Sequence, residues 1–163
     1  MILVTVGMHD QGFDRLIRAA DELAAQIDEQ VYIQYGSSNY VPIYAESSQW
    51  FTSLQMEQLN EKARVVITHA AAGSVILALN LSKPLVLVPR SKRFGEHIDN
   101  HQQQLAAALS ADNRAVSVMK PTPATLKLAI DQCLNLKLAC PSNHSLIQSL
   151  KRQLNDWSVV KTP

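Results

Sequence analysis

Short apolar runs alternate with longer amphipathic stretches along this chain. Residues 2–6 are apolar and end at Gly7, which predicts a buried strand entering a turn. From Phe13, apolar residues recur at three- and four-residue steps through Leu16, Ile17, Ala20, Leu23, Ala24 and Ile27. Asp14, Arg15, Arg18, Asp21 and Glu22 take the other face, so a helix follows with its charged side outward. Residues 31–35 predict a second strand closed by Gly36, and 37–48, with Pro42 and no clear period, a loop. A short helix over 54–63 precedes a third strand at 65–68, then a turn of small residues and a helix to Leu81, stopped by Lys83-Pro84. Residues 85–88 predict a fourth strand, 90–98 a polar loop, 99–109 a helix and 115–118 a fifth strand. Thr122 as cap and Pro123 at the first position open a helix to about Leu136. Ser142 can cap a last helix, over about 142–157, whose apolar side is Leu146, Ile147, Leu150, Leu154 and Trp157.

Strands of four to six apolar residues alternating with amphipathic helices imply an α/β fold, a Rossmann-like parallel sheet with helices on both faces. No linker or repeat divides the chain, so residues 1–163 are expected to form a single domain. In such sheets ligands bind beyond the carboxyl ends of the strands, which directs attention to the loops after Val6, Tyr35, Thr68 and Val88.

Composition narrows the function classes. Of the 163 residues 47% are hydrophobic, enough for a real core, and the formal charge of +1 leaves no cationic excess for a nucleic acid. The N-terminal run lacks a basic flank and a cleavage site, so a cytoplasmic location is expected. The longest apolar stretch, 65–81, is shorter than the ~20 residues of a spanning helix. Cys133 and Cys140 match no metal or redox spacing and read as reduced core thiols.

The loops carry the candidate chemistry. Gly7 and Gly12 are spaced as in a phosphate-binding loop, but Phe13-Asp14 stands where Lys-Ser/Thr is required, and no three-glycine dinucleotide fingerprint occurs. What remains is a turn whose N–H groups either face an anion or simply reverse the chain. Thr68-His69-Ala70-Ala71-Ala72-Gly73-Ser74 opens directly into a helix; its small side chains allow phosphates to approach backbone donors, or else merely save space. Residues 90–102 are the densest polar stretch, with Arg90, Lys92 and Arg93 near side chains able to bind sugar hydroxyls. His97 and His101 are one helical turn apart, yet the zinc-protease pattern needs Glu where Ile98 stands, and no metal site is assigned.

Together these residues resemble the C-terminal domain of glycosyltransferase family 28, and within it the donor-binding subunit of two-part N-acetylglucosaminyltransferases and bacterial exopolysaccharide enzymes. The resemblance rests on Val4-Thr5-Val6-Gly7 with His9, Phe13-Asp14-Arg15-Leu16, Ile67-Thr68-His69 with Ala72-Gly73-Ser74, Lys83-Pro84, Val88-Pro89-Arg90, Gly95-Glu96-His97, and Asp99 with His101-Gln102, over residues 1–109. It implies the C-terminal half of a GT-B enzyme, one that binds a UDP-sugar without metal or other cofactor. By that inference Gly7, His69, Ala72, Gly73, Ser74, Arg90, Glu96, Asn100, His101 and Gln102 contact the nucleotide sugar, and His9 is the one candidate base on this chain. The transferred sugar would be GlcNAc, Glc, Gal or GlcA, and the acceptor lipid-linked. A membrane-anchored acceptor-binding subunit would be the partner, holding this chain at the inner membrane face, with Leu154 and Trp157 as docking residues.

The chain also departs from the family pattern. Ala70 and Ala71 replace two glycines, Met8 a small hydroxylated residue, and Leu77 a glutamate that accepts hydrogen bonds from the ribose. Either the donor is held differently, or the chain is a non-catalytic interaction subunit that supports its partner.

Overall fold

The computed structural model describes residues 1–136; the expected helix over 142–157, with Leu154 and Trp157, and Cys140 lie outside the described residues. Six parallel strands form one sheet in the order β3-β2-β1-β4-β5-β6, made of β1 (Ile2–Thr5), β2 (Val31–Gln34), β3 (Glu46–Ser48), β4 (Val65–Thr68), β5 (Leu85–Leu87) and β6 (Val116–Ser117). The helices are α1 (Asp14–Ala24), α2 (Ser53–Lys62), α3 (Ala72–Asn80), α4 (His101–Ala111) and α5 (Pro123–Asn135), with a 3₁₀ turn at Lys92–Phe94. The alternation of strand side chains sorts the core into two layers. Ile2, Val4, Val31, Ile33, Val65 and Ile67 pack under α1 and α5, while Leu3, Val66, Leu85 and Leu87 pack under α3 and α4, with Met56 and Leu59 of α2 alongside. This is the Rossmann-like architecture that the alternating pattern predicts.

The main difference lies in 37–48, expected to be a loop. It contains β3, an edge strand paired only with β2 and composed of Glu-Ser-Ser, so no apolar face announces it. What holds this segment is Asp21. Expected on the charged outer face of α1, Asp21 is instead fully buried. Its carboxylate accepts from the N–H groups of Ile43, Tyr44 and Ala45 and from the Tyr40 hydroxyl, at 2.7–2.9 Å. Burial pushes its pKa up, but these donors, led by Ile43 and Tyr40, together hold it below the usual carboxylate range. Asp14 joins in by accepting from Asn39 N–H, and Ser38 accepts from Phe13 N–H, tying the whole passage to the start of α1. Replacing Asp21 with Ala strands four partly buried donors and is expected to cost about 2–4 kcal/mol in urea unfolding. A loss under ~1 kcal/mol would show that water reaches these groups.

Smaller shifts have local causes. Helix α1 stops at Ala24, although Ile27 still packs against its layer. Helix α4 begins at His101 rather than residue 99, because the Asp99 side chain accepts from His101 N–H and fixes the turn before it. Thr122 caps α5 by accepting from Thr125 N–H, with Pro123 at the first position, as the sequence predicts. Cys133 is free and buried, and burial pushes its thiol up to about 11, fitting an inert core role. Among the described residues no helix is long and apolar enough to cross a membrane.

Candidate functional site

On the face covered by α2 and α3, strand residues are apolar until the last position, where they turn polar. Leu3 is followed by Thr5, Tyr32 by Gln34 and Val66 by Thr68, and the parallel register sets Gln34, Thr5 and Thr68 side by side across β2, β1 and β4. All three are buried. This row ends the apolar layer, and Thr5 and Gln34 of it form part of the floor of a cavity of about 390 Å³ at the carboxyl edge. Thr5, Gly7 and Met8 enter it from β1 and its turn, and Gln34 from β2. Phe51, Ser53 and Met56 come from the start of α2, and His69, Ala71, Gly73, Ser74 and Leu77 from the β4–α3 passage. A larger hollow of about 680 Å³ lies among Ser110, Val116, Leu128 and Leu136, but it holds none of the residues that carry candidate chemistry. The strand-end cavity is therefore the candidate site.

Gly7 and His69 are built around each other. Gly7 has φ +71°, and a Cβ there would stand 2.6 Å from the His69 ring, so only glycine permits this approach. Burial, aided by the Arg90 charge and against a hydrogen bond to the Thr5 backbone, drives the His69 pKa down to about 3. At neutral pH the ring is an uncharged wedge. It cannot offer a cation to phosphates.

Helix α3 starts from Ala71 without a side-chain cap, and its first intrahelical bond runs from Val75 N–H to the Ala71 carbonyl. The N–H groups of Ala72, Gly73 and Ser74 therefore have no intrahelical acceptor at the cavity rim. A Cβ at Gly73 would meet nothing within 4 Å, so the approach is open. Ala70 has φ +57°, which a glycine adopts freely and an alanine at a cost of about 1–2 kcal/mol. The backbone shape is thus kept although the glycine is gone. Leu77 stands in the cavity wall, where the resemblance leads one to expect a carboxylate.

The polar loop 90–102 sits differently from its expected role. Arg90, expected to contact the nucleotide sugar, is buried with its guanidinium turned inward. Nη1 donates to the carbonyls of Gln11, Gly12 and Glu96, Nη2 donates to that of Val6, and the group lies over the Phe13 ring. Four carbonyls, two buried and two partly buried, claim its donors, so it braces the site's walls instead. Glu96 is likewise committed: it forms a two-pronged pair with Arg15 at 2.9 Å and accepts from Ser91 N–H. Gln102 accepts from Arg90 N–H, and Asn100 from Lys92 N–H. Asp99 lies between His97 and His101, at 3.1 and 2.9 Å from their Nδ1 atoms, and the His97 ring is 5.0 Å from that of His9. Burial, Arg90 and His97 lower the His9 pKa, so His9 is neutral at pH 7. Among the described residues no group of three or more His, Cys, Asp or Glu is arranged to hold a metal ion.

Of the residues singled out from the sequence, Gly7, His69, Gly73 and Ser74 share the cavity, and Ala72 begins α3 beside it. His9, Arg90, Glu96, Asn100, His101 and Gln102 are not among its lining residues. Sequence reasoning missed Thr5, Gln34, Phe51 and Met56. The signal for the first two was present, as a polar residue closing each of two otherwise apolar strands on the same face.

The glycosyltransferase family 28 C-terminal domain model matches residues 1–155. Among solved structures, the glycotransferase of kitacinnamycin superposes with a TM-score of 0.63 at 19% identity, over 94% of this chain and 39% of that one. CalG4, the calicheamicin glycosyltransferase, gives 0.63 at 18% identity, over 95% and 43%. MurG of Acinetobacter baumannii gives 0.56 at 15%, over 91% and 49%. The chain thus spans less than half the length of each of these structures. No curated protein sequence matches it.

Proposed function

Because the chain belongs to the glycosyltransferase family 28 C-terminal domain family and has the fold of the C-terminal half of a GT-B glycosyltransferase, we propose that it is the UDP-sugar-binding half of such an enzyme. The observation that carries this reading is the strand-end cavity, whose rim holds the free N–H groups of α3 and whose floor is neutral and polar. A diphosphate fits the first and a nucleoside the second. The enzyme would transfer a hexose (GlcNAc, Glc, Gal or GlcA) with inversion to a lipid-linked acceptor. The acceptor oxygen attacks the anomeric carbon, the bond to the diphosphate breaks, and UDP leaves with its electron pair. Backbone donors at α3 would stabilise that charge without a metal or other cofactor. Because Arg90 is committed to loop carbonyls, those donors carry the task on this chain. The acceptor hydroxyl's proton would pass to a group of a membrane-anchored acceptor-binding partner; His9 is the candidate on this side. That partner would also bring the chain to the inner membrane face.

A second reading has its own observation. Leu77 in the cavity wall cannot accept from a ribose hydroxyl, and loss of that bond favours a non-catalytic subunit that supports its partner. Calorimetric titration with UDP decides between them. Micromolar binding supports the donor site, and no measurable binding supports the interaction subunit. On the donor reading Leu77→Glu restores a charge-assisted bond of about 1.5–3 kcal/mol, so UDP affinity is expected to rise about tenfold or more.

A further inference from the structure

We propose that Gln34 is a specificity-determining residue of the strand-end cavity, where its amide N–H₂ donates to an oxygen of the bound nucleotide, and that Thr5 positions it. This rests on the UDP-binding reading and adds the group that reads the ligand from below.

A chain of hydrogen bonds runs from the turn after β1 into the cavity floor. Gly7 N–H donates to Thr5 Oγ1 at 3.4 Å, and Thr5 Oγ1 donates to Gln34 Oε1 at 2.5 Å. Gly7 N–H takes one acceptor position of the Thr5 hydroxyl, and the Thr5 proton goes to Gln34 Oε1 as the structure orients the amide. In that orientation Oε1 faces Thr5, and Nε2 is left with two N–H groups. Gln34 is only 3% exposed, yet it lines the cavity, and no hydrogen bond joins Nε2 to another described residue. Nε2 is not sealed from the cavity, so its N–H groups can meet an acceptor placed there. The cavity is where that acceptor can come from.

The surroundings say what kind it is. Among the lining residues only His69 titrates, and it is neutral at pH 7, so the floor offers no charge in either direction. Thr5 gives its one proton to Gln34 and so offers a ligand no donor. A donor-only amide in a neutral, partly apolar hollow selects an oxygen acceptor and rejects an amino group. Two parts of UDP supply such an oxygen, the nucleoside and the diphosphate, and both meet the same chemistry.

The test titrates the full chain calorimetrically with UDP and with uridine. Gln34→Leu is expected to weaken UDP binding about tenfold, and Gln34→Glu, nearly identical in shape, at least as much because it puts a carboxylate where a donor stood. An equal loss for uridine assigns the contact to the nucleoside, and a loss for UDP alone assigns it to the diphosphate. Thr5→Val should weaken binding severalfold in the parent but add nothing in the Gln34→Leu background, a coupling that general loosening of the site does not produce. Thermal midpoints identify any variant that has unfolded, and Gln34→Glu, which keeps the side chain's shape, supplies the result if Gln34→Leu does. Parent-like UDP affinity in a folded Gln34→Glu or Gln34→Leu chain overturns the inference alone. A parent chain that binds neither ligand overturns the UDP-binding reading and this inference with it.

Discussion

Between pH 6.5 and about 3 the protein is expected to lose stability by up to about 1.4 kcal/mol per pH unit on account of His69 alone. In the unfolded chain an imidazole takes up its proton near pH 6.5, whereas His69 in the folded protein resists until about 3. Across that window the unfolded state binds more protons, so stability rises with pH. The contribution is whole above 6.5 and drains away as pH falls. Integrated, it amounts to about 4–5 kcal/mol as an upper figure, comparable with the whole stability of a marginal domain. The ring is 5% exposed, so solvent screens little of it. Asp21, Glu29 and Asp99, whose pKa values are all depressed, contribute stability that is present above the ordinary carboxylate range and lost below it. They act under about pH 4 and leave the upper part of the window to the histidines. His9, also depressed but far less enclosed, adds a little at the top of the range. Urea unfolding at pH 7, 6 and 5 reads the slope directly, and His69→Asn should flatten most of it. If the variant and the parent show parallel slopes, His69 is protonated in the folded state after all, and the neutral wedge beneath Gly7 is wrong.

How much of this was legible beforehand depends on which signal a residue leaves. Periodicity marks residues that bury a carbon surface, so the five apolar strands and their helices could be read from the chain. It says nothing of β3, whose Glu46, Ser47 and Ser48 bury little and pair on one side only. It also misplaced Asp21, because helical spacing assigns a charge to the outer face while a row of unpaired N–H groups from 43–45 draws it in. The carboxyl-edge loops were located by the rule for parallel sheets, and Gly7, His69, Gly73 and Ser74 do converge there. Arg90 and Glu96 are engaged within the loops for a reason that residue type alone does not reveal. A polar residue in a ligand-side loop reads as a ligand contact, although the loops themselves hold carbonyls and N–H groups that must be satisfied first.

Arg90→Met is expected to remove about 3–5 kcal/mol of stability, the largest loss from a single side chain in this loop system. The guanidinium is 1% exposed and joins two segments that pairing in the sheet does not connect, the turn after β1 and the loop after β5. Its four acceptors belong to Val6, Gln11, Gly12 and Glu96. Methionine fills the space over Phe13 but leaves those carbonyls without donors, and the unpaired acceptors account for most of the loss. Burial lowers the Arg90 pKa to about 10, with the Glu96 charge opposing, so the group stays charged at pH 7 and its hydrogen bonds are charge-assisted. Arg90→Lys should recover only part, because a point charge cannot reach both Val6 and Gln11 as the planar fork does. Glu96 gives the contrast: its carboxylate is held by Arg15 and Ser91, so Glu96→Gln keeps the Arg90 contact, which goes to the Glu96 backbone carbonyl. Urea midpoints should therefore rank the parent first, then Glu96→Gln, Arg90→Lys and Arg90→Met. Because Gly7 directly follows Val6 and lies over His69, on the UDP-binding reading UDP also binds more weakly to whatever folded Arg90→Lys protein remains. An Arg90→Met chain as stable as the parent would mean that water enters to serve these carbonyls. Arg90 would then be free to turn toward a ligand, restoring the nucleotide-sugar contact that the resemblance implies.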